Sequence, residues 1–334
     1  MNTKEKEKTP SSAAGRWLSF RKEIKVLDCT IRDGGLMNNS NFDDKVVKAV
    51  YNACVEGGID YMELGYKNSQ KIFTPDKYGA WRWCKEDDLR RIVGDNDSDL
   101  KLSVMADAEK CDYKTDILQK KDSVLDLIRV ATYIHQLPLA MDMIKDATDK
   151  GYETSVNIMA ISTVREQELD EALEMLCETP VNTIYLVDSF GSLYSEQIHY
   201  LARKYLKYAK QAGKQVGIHA HNNLQLAYSN TIEAIVCGCN MLDATMAGLG
   251  RGAGNCPLEL LVGFLHNPKY ALRPILQCIQ DEIEPMREKL GWGFDYSYMM
   301  TGLLNRHPRS AMAYNDGPNR KKIVDFYDQT MREI

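Results

Sequence analysis

Thr183-Ile-Tyr-Leu-Val187 and Gln215-Val-Gly-Ile-His-Ala-His221 are two short, apolar, β-prone runs, and the stretch 195–212 between them has helical character. Strand, helix, strand in that order predicts two parallel strands joined by a helical crossover. The same alternation continues on both sides. Upstream, strands are expected at 25–31, 61–64, 100–105, 127–131 and 155–161; downstream, one is expected at 241–245. Helices are expected at 43–56, 85–91, 138–150, 166–178, 225–236 and 257–265, with a long irregular insert after the second strand. Eight strand–helix units with no run of consecutive strands predict an α/β protein, a closed (β/α)8 TIM barrel, with an open doubly wound sheet as the alternative. The organisation expected is a disordered N-terminal tail at 1–22, a barrel domain at 23–266 and a short helical C-terminal extension at 267–334. The extension is expected to pack on the barrel or to cover its mouth.

The bulk numbers limit the partners. The chain has 334 residues, 44% hydrophobic and 27% charged, with formal net charge −5. No basic excess points to nucleic acid or lipid headgroups. No apolar run approaches the roughly 18 residues that would span a bilayer. The nine cysteines are scattered and follow no Cys-x-x-Cys spacing, which fits a reducing, cytoplasmic setting better than a disulfide framework.

In such a barrel the chemistry gathers at the C-terminal ends of the strands. His219 and His221 lie two residues apart on one strand, so both imidazoles leave the same face. Strand one opens into Arg32-Asp33-Gly34-Gly35, and both strands are odd-numbered, so Asp33, His219 and His221 can converge on one cation. One carboxylate and two imidazoles leave room on a six-coordinate ion for a chelating oxygen substrate, and the lack of thiolate suits Mn²⁺, Mg²⁺ or Fe²⁺ better than structural zinc. Ser189, at the end of strand six, is placed to bond a substrate carboxylate or to start a turn. Glu63 and Arg129 read as interior or supporting charges. The glycine-rich stretch 247–254 follows the last strand rather than a first βαβ unit. It therefore reads as a backbone cradle, with Asn255 reaching into the site, and not as a dinucleotide loop.

These blocks are Asp28-x-Thr-x-Arg32-Asp33-Gly, Asp188-Ser189-x-Gly191, His219-Ala-His221-Asn-Asn-Leu and Asp243-Ala-x-x-Ala-Gly-x-Gly-x-Gly-Ala-Gly-Asn255. In this order they resemble the DRE-TIM metallolyases, the HMG-CoA lyase-like superfamily that includes 4-hydroxy-2-oxovalerate aldolase and isopropylmalate synthase. The last two blocks resemble most the 4-hydroxy-2-oxovalerate aldolase branch. The resemblance implies a divalent metal, Mn²⁺ or Mg²⁺, on Asp33, His219 and His221 with Asn255 beside it, a direct ligand in some relatives. It implies that Arg32 stabilises an enolate as the catalytic cation and that Ser189 and His219 join Arg32 in holding a 2-oxo acid. It also implies carbon–carbon cleavage of a 4-hydroxy-2-oxo acid through a pyruvate enolate, and a homo-oligomer or a dehydrogenase partner reached through the extension. A Claisen-type acyl-CoA-dependent synthase and a non-catalytic barrel subunit are the alternatives. The extension looks short for the synthases. One position departs from the aldolase pattern: Leu36 stands where those enzymes carry a histidine base. Tyr66, Tyr133 or a water on the metal are then the candidates for proton transfer.

Overall fold

In the computed structural model, residues 21–318, 320 and 322–332 are described, so most of the tail expected at 1–22 lies outside the described residues. Eight parallel strands close on themselves in sequence order. They are β1 (Lys25–Asp28), β2 (Tyr61–Tyr66), β3 (Lys101–Asp107), β4 (Leu127–Thr132), β5 (Glu153–Ile158), β6 (Thr183–Asp188), β7 (Gln215–Ala220) and β8 (Met241–Ala244). β8 pairs with β1, Leu27 opposite Asp243, and this ladder shuts the barrel. The crossovers carry α1 (Thr30–Gly34), α2 (Asp44–Glu56), α3 (Glu86–Val93), α4 (Tyr113–Asp116), α5 (Leu137–Asp149), α6 (Glu166–Cys177), α7 (Ser195–Gln211), α8 (Ala227–Cys237) and α9 (Leu258–Leu265).

The first strand is shorter than expected. It ends at Asp28, because the Asp28 carboxylate accepts from the backbone N–H and the hydroxyl of Thr30 and turns the chain into α1. Arg32 and Asp33 therefore ride on a short helix rather than on an open loop. The seventh strand also ends early, at Ala220, and His221 pairs instead with Asn255 in an isolated antiparallel bridge.

Inward-facing residues fill the barrel's lower half: Leu27, Tyr61, Leu127, Tyr185 and Met241 form one buried cluster. Gly217 belongs to this layer, since a Cβ there would sit 2.5 Å from the Tyr185 ring. One step higher on the same strands the inward residues change from apolar to charged, at Glu63, Arg129, His219 and Asp243, all buried. That step follows from the two-residue period of a strand.

Beyond α9 come α10 (Leu272–Cys278), α11 (Arg287–Leu290), α12 (Tyr296–Leu303), α13 (Arg309–Asn315) and α14 (Ile323–Arg332). α10 packs on α2. α12 to α14 form their own apolar cluster around Tyr298, Met300, Ala311 and Phe326, joined to the glycine-rich loop through Ala253.

Candidate active site

The charged layer is a single chain of ion pairs. Arg32 donates through Nη1 to Asp33 Oδ1 at 2.7 Å and through Nε to Glu63 Oε2 at 2.6 Å. Arg129 donates to the same Glu63 oxygen at 2.8 Å and to Asp243 Oδ2 at 2.5 Å, with its guanidinium 4.5 Å above the Tyr185 ring. Asp243 Oδ2 also lies 3.0 Å from His219 Nδ1. Asp33 and His219, far apart in sequence, are thus the two ends of one buried relay. It holds three carboxylates (Asp33, Glu63, Asp243) against two guanidinium groups (Arg32, Arg129), a surplus of one negative charge in a dry interior.

That surplus is aimed at a point between Asp33, His219 and His221, whose ligand atoms all lie within 4.8 Å of one another. The Asp243 bond fixes the His219 tautomer with its proton on Nδ1, which leaves the Nε2 lone pair for a ligand. Among the described residues, His219 Nε2, His221 Nδ1 and Asn255 Oδ1 are sealed from solvent without a hydrogen-bond partner. Buried polar atoms are seldom left so, and three of them beside a carboxylate fit a bound cation. The protonation states agree. Burial alone would raise the Asp33 carboxyl, but the guanidinium charge of Arg32 beside it holds it well below the usual range. Burial pushes His221 far below its ordinary value, so it is neutral. Asn255 donates through Nδ2 to Asp33 Oδ2, so in this arrangement it steadies the carboxylate. Gly250 must be glycine here: a Cβ would run into the Asn255 amide and the Asp33 carboxylate.

Above this cluster opens a cavity of about 510 Å³. Arg32, Asp33, Ser189, His219 and His221 all reach it, and so do Tyr66, Tyr133 and Leu36. Ser189 Oγ accepts from the Ala160 backbone at 2.8 Å, which leaves its own proton free to be donated. Arg32 Nη2 is buried and has no acceptor among the described residues. Glu63 and Arg129 lie below the cavity, in the relay.

Among the cavity residues that sequence reasoning missed are Arg251, Arg82, His307 and Arg309. Arg251 stands inside the glycine-rich stretch that was read only as backbone; its Nη2 donates to the Ser189 carbonyl at 2.9 Å. Arg82 lies in the insert after β2, where no periodicity marks it. His307 and Arg309 come from the extension, which therefore covers the mouth. The turn at Asn305-Arg306-His307-Pro308 was the one visible signal for the last two.

A family model described as HMGL-like matches residues 23–281. The chain belongs to the HMGL-like family. This family is divalent-metal dependent, and with relatives named as aldolases and decarboxylases the HMGL-like chain is an enzyme of the lyase type. It is 31% identical over 255 residues to an oxaloacetate decarboxylase from Mycobacterium tuberculosis, covering 73% of this chain and 70% of that one. It is 30% identical over 264 residues to a 4-hydroxy-2-oxovalerate aldolase from Thermus thermophilus, covering 79% and 74%. Among solved structures, the N-terminal domain of a Bacteroides vulgatus protein assigned as an aldolase superposes with TM-score 0.74 at 28% identity, covering 90% of this chain and all of that one. The HMG-CoA lyase from Bacillus subtilis shares the fold, with TM-score 0.65 at 17% identity over 82% of this chain and 96% of that one.

Proposed function

We propose that this HMGL-like protein is an aldolase that cleaves a 4-hydroxy-2-oxo acid through a pyruvate enolate. The observation that carries the reading is the buried, unpaired Nη2 of Arg32 beside the Asp33, His219 and His221 cluster. Those three side chains would hold Mn²⁺ or Mg²⁺, with Asn255 alongside. When bound, such an ion acts as a Lewis acid on the 2-oxo group of the substrate.

The chain's own residues do the rest. The 4-hydroxyl gives up its proton to solvent base, and the O4 lone pair forms the aldehyde C=O as the C3–C4 bond breaks. The electron pair of that bond passes through C2=C3 onto the C2 oxygen; the proton that Tyr66 later gives to C3 is regained from solvent. Arg32 keeps Nε and Nη1 occupied by Glu63 and Asp33, so the guanidinium cannot swing. Its free Nη2–H is left to donate to the enolate oxygen. A fixed guanidinium suits this role because it stays charged while the enolate charge grows. Ser189 donates its free hydroxyl to the substrate carboxylate. His219, locked by Asp243, faces the same substrate from the metal side. Burial pushes Tyr66 up to about 12, so it stays protonated and can return a proton to C3 of the enolate, giving pyruvate. With Leu36 in place of a histidine, this hydroxyl is the group we assign to that step. The extension at 267–334 acts as a cover that keeps water from the enolate, continuous in function with the barrel at 23–266. The nine free cysteines support a cytoplasmic setting.

The test is proton exchange into the pyruvate methyl group in Mn²⁺ buffer, followed by NMR. Exchange is expected in the wild type and absent in Arg32→Ala. Equal exchange in both removes Arg32 from the mechanism.

A further inference from the structure

Arg82 is a cation without an anion. Only 4% of it is exposed, yet it makes no ion pair and donates no side-chain hydrogen bond among the described residues, and its Nε is sealed without a partner. It sits in a box of three rings, 4.5 Å from the centroid of Tyr66, 4.9 Å from Phe73 and 5.2 Å from Tyr78. Rings stabilise a guanidinium but give its N–H groups no acceptor, and an unpaired buried charge is costly. The open side of the box faces the cavity.

The fold holds this arginine in place. Its neighbour Trp81 is fully buried and donates its indole N–H to the Phe42 carbonyl at 3.1 Å. β2 bulges between Glu63 and Tyr66, and Gly65 at the bulge lets the Trp81 carbonyl come close where a Cβ would collide. The same bulge presents Tyr66 to the cavity. Tyr66 then lies by two arginines: its ring packs under Arg82, and its hydroxyl feels the charges of Arg32, Asp107, Arg82 and Asp33. A ligand whose 2-oxo acid end meets Arg32 shares one cavity with Arg82.

The acids of the cavity do not neutralise Arg82. Asp107 accepts from Asn68 at 3.2 Å and faces Lys110 at 3.6 Å. Asp316 belongs to the extension across the mouth. Counting the lining, five cations (Arg32, Arg82, Lys110, Arg251, Arg309) face three acids (Asp33, Asp107, Asp316), before any metal is added.

We infer that Arg82 forms an anion subsite for the far end of the substrate. The preferred ligands are then 2-oxo acids bearing a second anionic group, a carboxylate or a phosphate, on the acceptor fragment. This rests on the aldolase reading and narrows its substrate class.

The experiment is calorimetric titration of the Mn²⁺-loaded protein with three ligands of matched length: 2-oxopentanoate, 2-oxopentanedioate and 2-oxo-4-phosphonobutanoate. A charged hydrogen-bonded pair predicts that one of the two ligands with a second anionic end binds the wild type about tenfold or more tightly than 2-oxopentanoate, whose far end is uncharged. Which of them binds better tells carboxylate from phosphate. In Arg82→Gln the preference is expected to vanish; Arg82→Lys is expected to keep part of it, since a lysine restores charge but not the planar fork. Equal wild-type affinity for the ligands with and without the second anionic end overturns the inference, whether or not the variants fold. So does a preference that survives in Arg82→Gln. The titration needs no turnover, so absent pyruvate exchange would reject the aldolase reading without deciding this comparison.

Discussion

Asp243→Asn is the perturbation that tests the relay most directly. Asp243 Oδ2 serves His219 Nδ1 at 3.0 Å and Arg129 Nη2 at 2.5 Å, and the residue is fully buried. Asparagine keeps the shape but removes one charge. The relay then has two carboxylates and two guanidinium groups, and its surplus negative charge is gone. The amide can also turn its NH2 toward His219, moving the imidazole proton to Nε2, the atom a metal needs bare. Removing the partner of a metal-bound histidine typically costs 10–100-fold in affinity, about 1.4–2.7 kcal/mol. Arg129 loses its full counter-charge at the same time. Breaking a buried pair costs about 3–5 kcal/mol, and the amide oxygen recovers part of it. Mn²⁺ affinity is read by electron paramagnetic resonance of the free ion, and stability by urea unfolding in EDTA. Weaker Mn²⁺ binding together with lower apo stability is expected. A folded Asp243→Asn protein whose Mn²⁺ affinity stays within about threefold of wild type would refute the idea that Asp243 prepares His219. Glu63→Gln is the companion variant. It lies two links further from His219, beyond Arg129, so it should lose stability with a smaller change in affinity.

Arg129→Met removes the cation between Glu63 and Asp243, leaving Glu63 to Arg32 alone and Asp243 with no guanidinium, and should lower unfolding free energy by about 3–5 kcal/mol in urea titrations. Gly250→Ala forces a methyl group against Asn255 and Asp33; Mn²⁺ binding should weaken more than tenfold, of the order seen when a metal's supporting residues are disturbed, while circular dichroism stays that of a barrel. For pH, burial raises the Asp28 carboxyl to about 7 and the Asp188 carboxyl to about 6. Both values lie above those of an unfolded chain, so the folded state binds these protons more tightly. Their contribution is fully present below about pH 4 and is lost as pH rises to 7, at up to about 1.4 kcal/mol per pH unit for each group. Asp28→Asn should flatten the upper part of that slope. An unchanged stability–pH curve would place the proton elsewhere.

The barrel was legible because it rests on local patterning. Each strand–helix unit shows its own hydrophobic period, and eight parallel units of that length have few ways to bury both faces of a sheet. Element ends were less legible. β1 stops at Asp28 rather than at residue 31 because one side chain caps a turn, a contact that periodicity does not carry. The pairing of His219 with His221 could be read directly, since two residues along a strand return to the same face. Their approach to Asp33 needed the barrel to be closed.

By itself, the order of residues determined the closed α/β barrel, the face shared by the two histidines and the strand ends where chemistry gathers, because these depend on spacing along one segment. Only the tertiary structure decided that Asp33 and His219 are tied through Arg32, Glu63, Arg129 and Asp243, that Arg82 enters the cavity from an irregular insert, and that His307 and Arg309 close over it. Those relations join segments far apart in the chain. They depend on which buried charges find partners once the barrel shuts, and no local period encodes that.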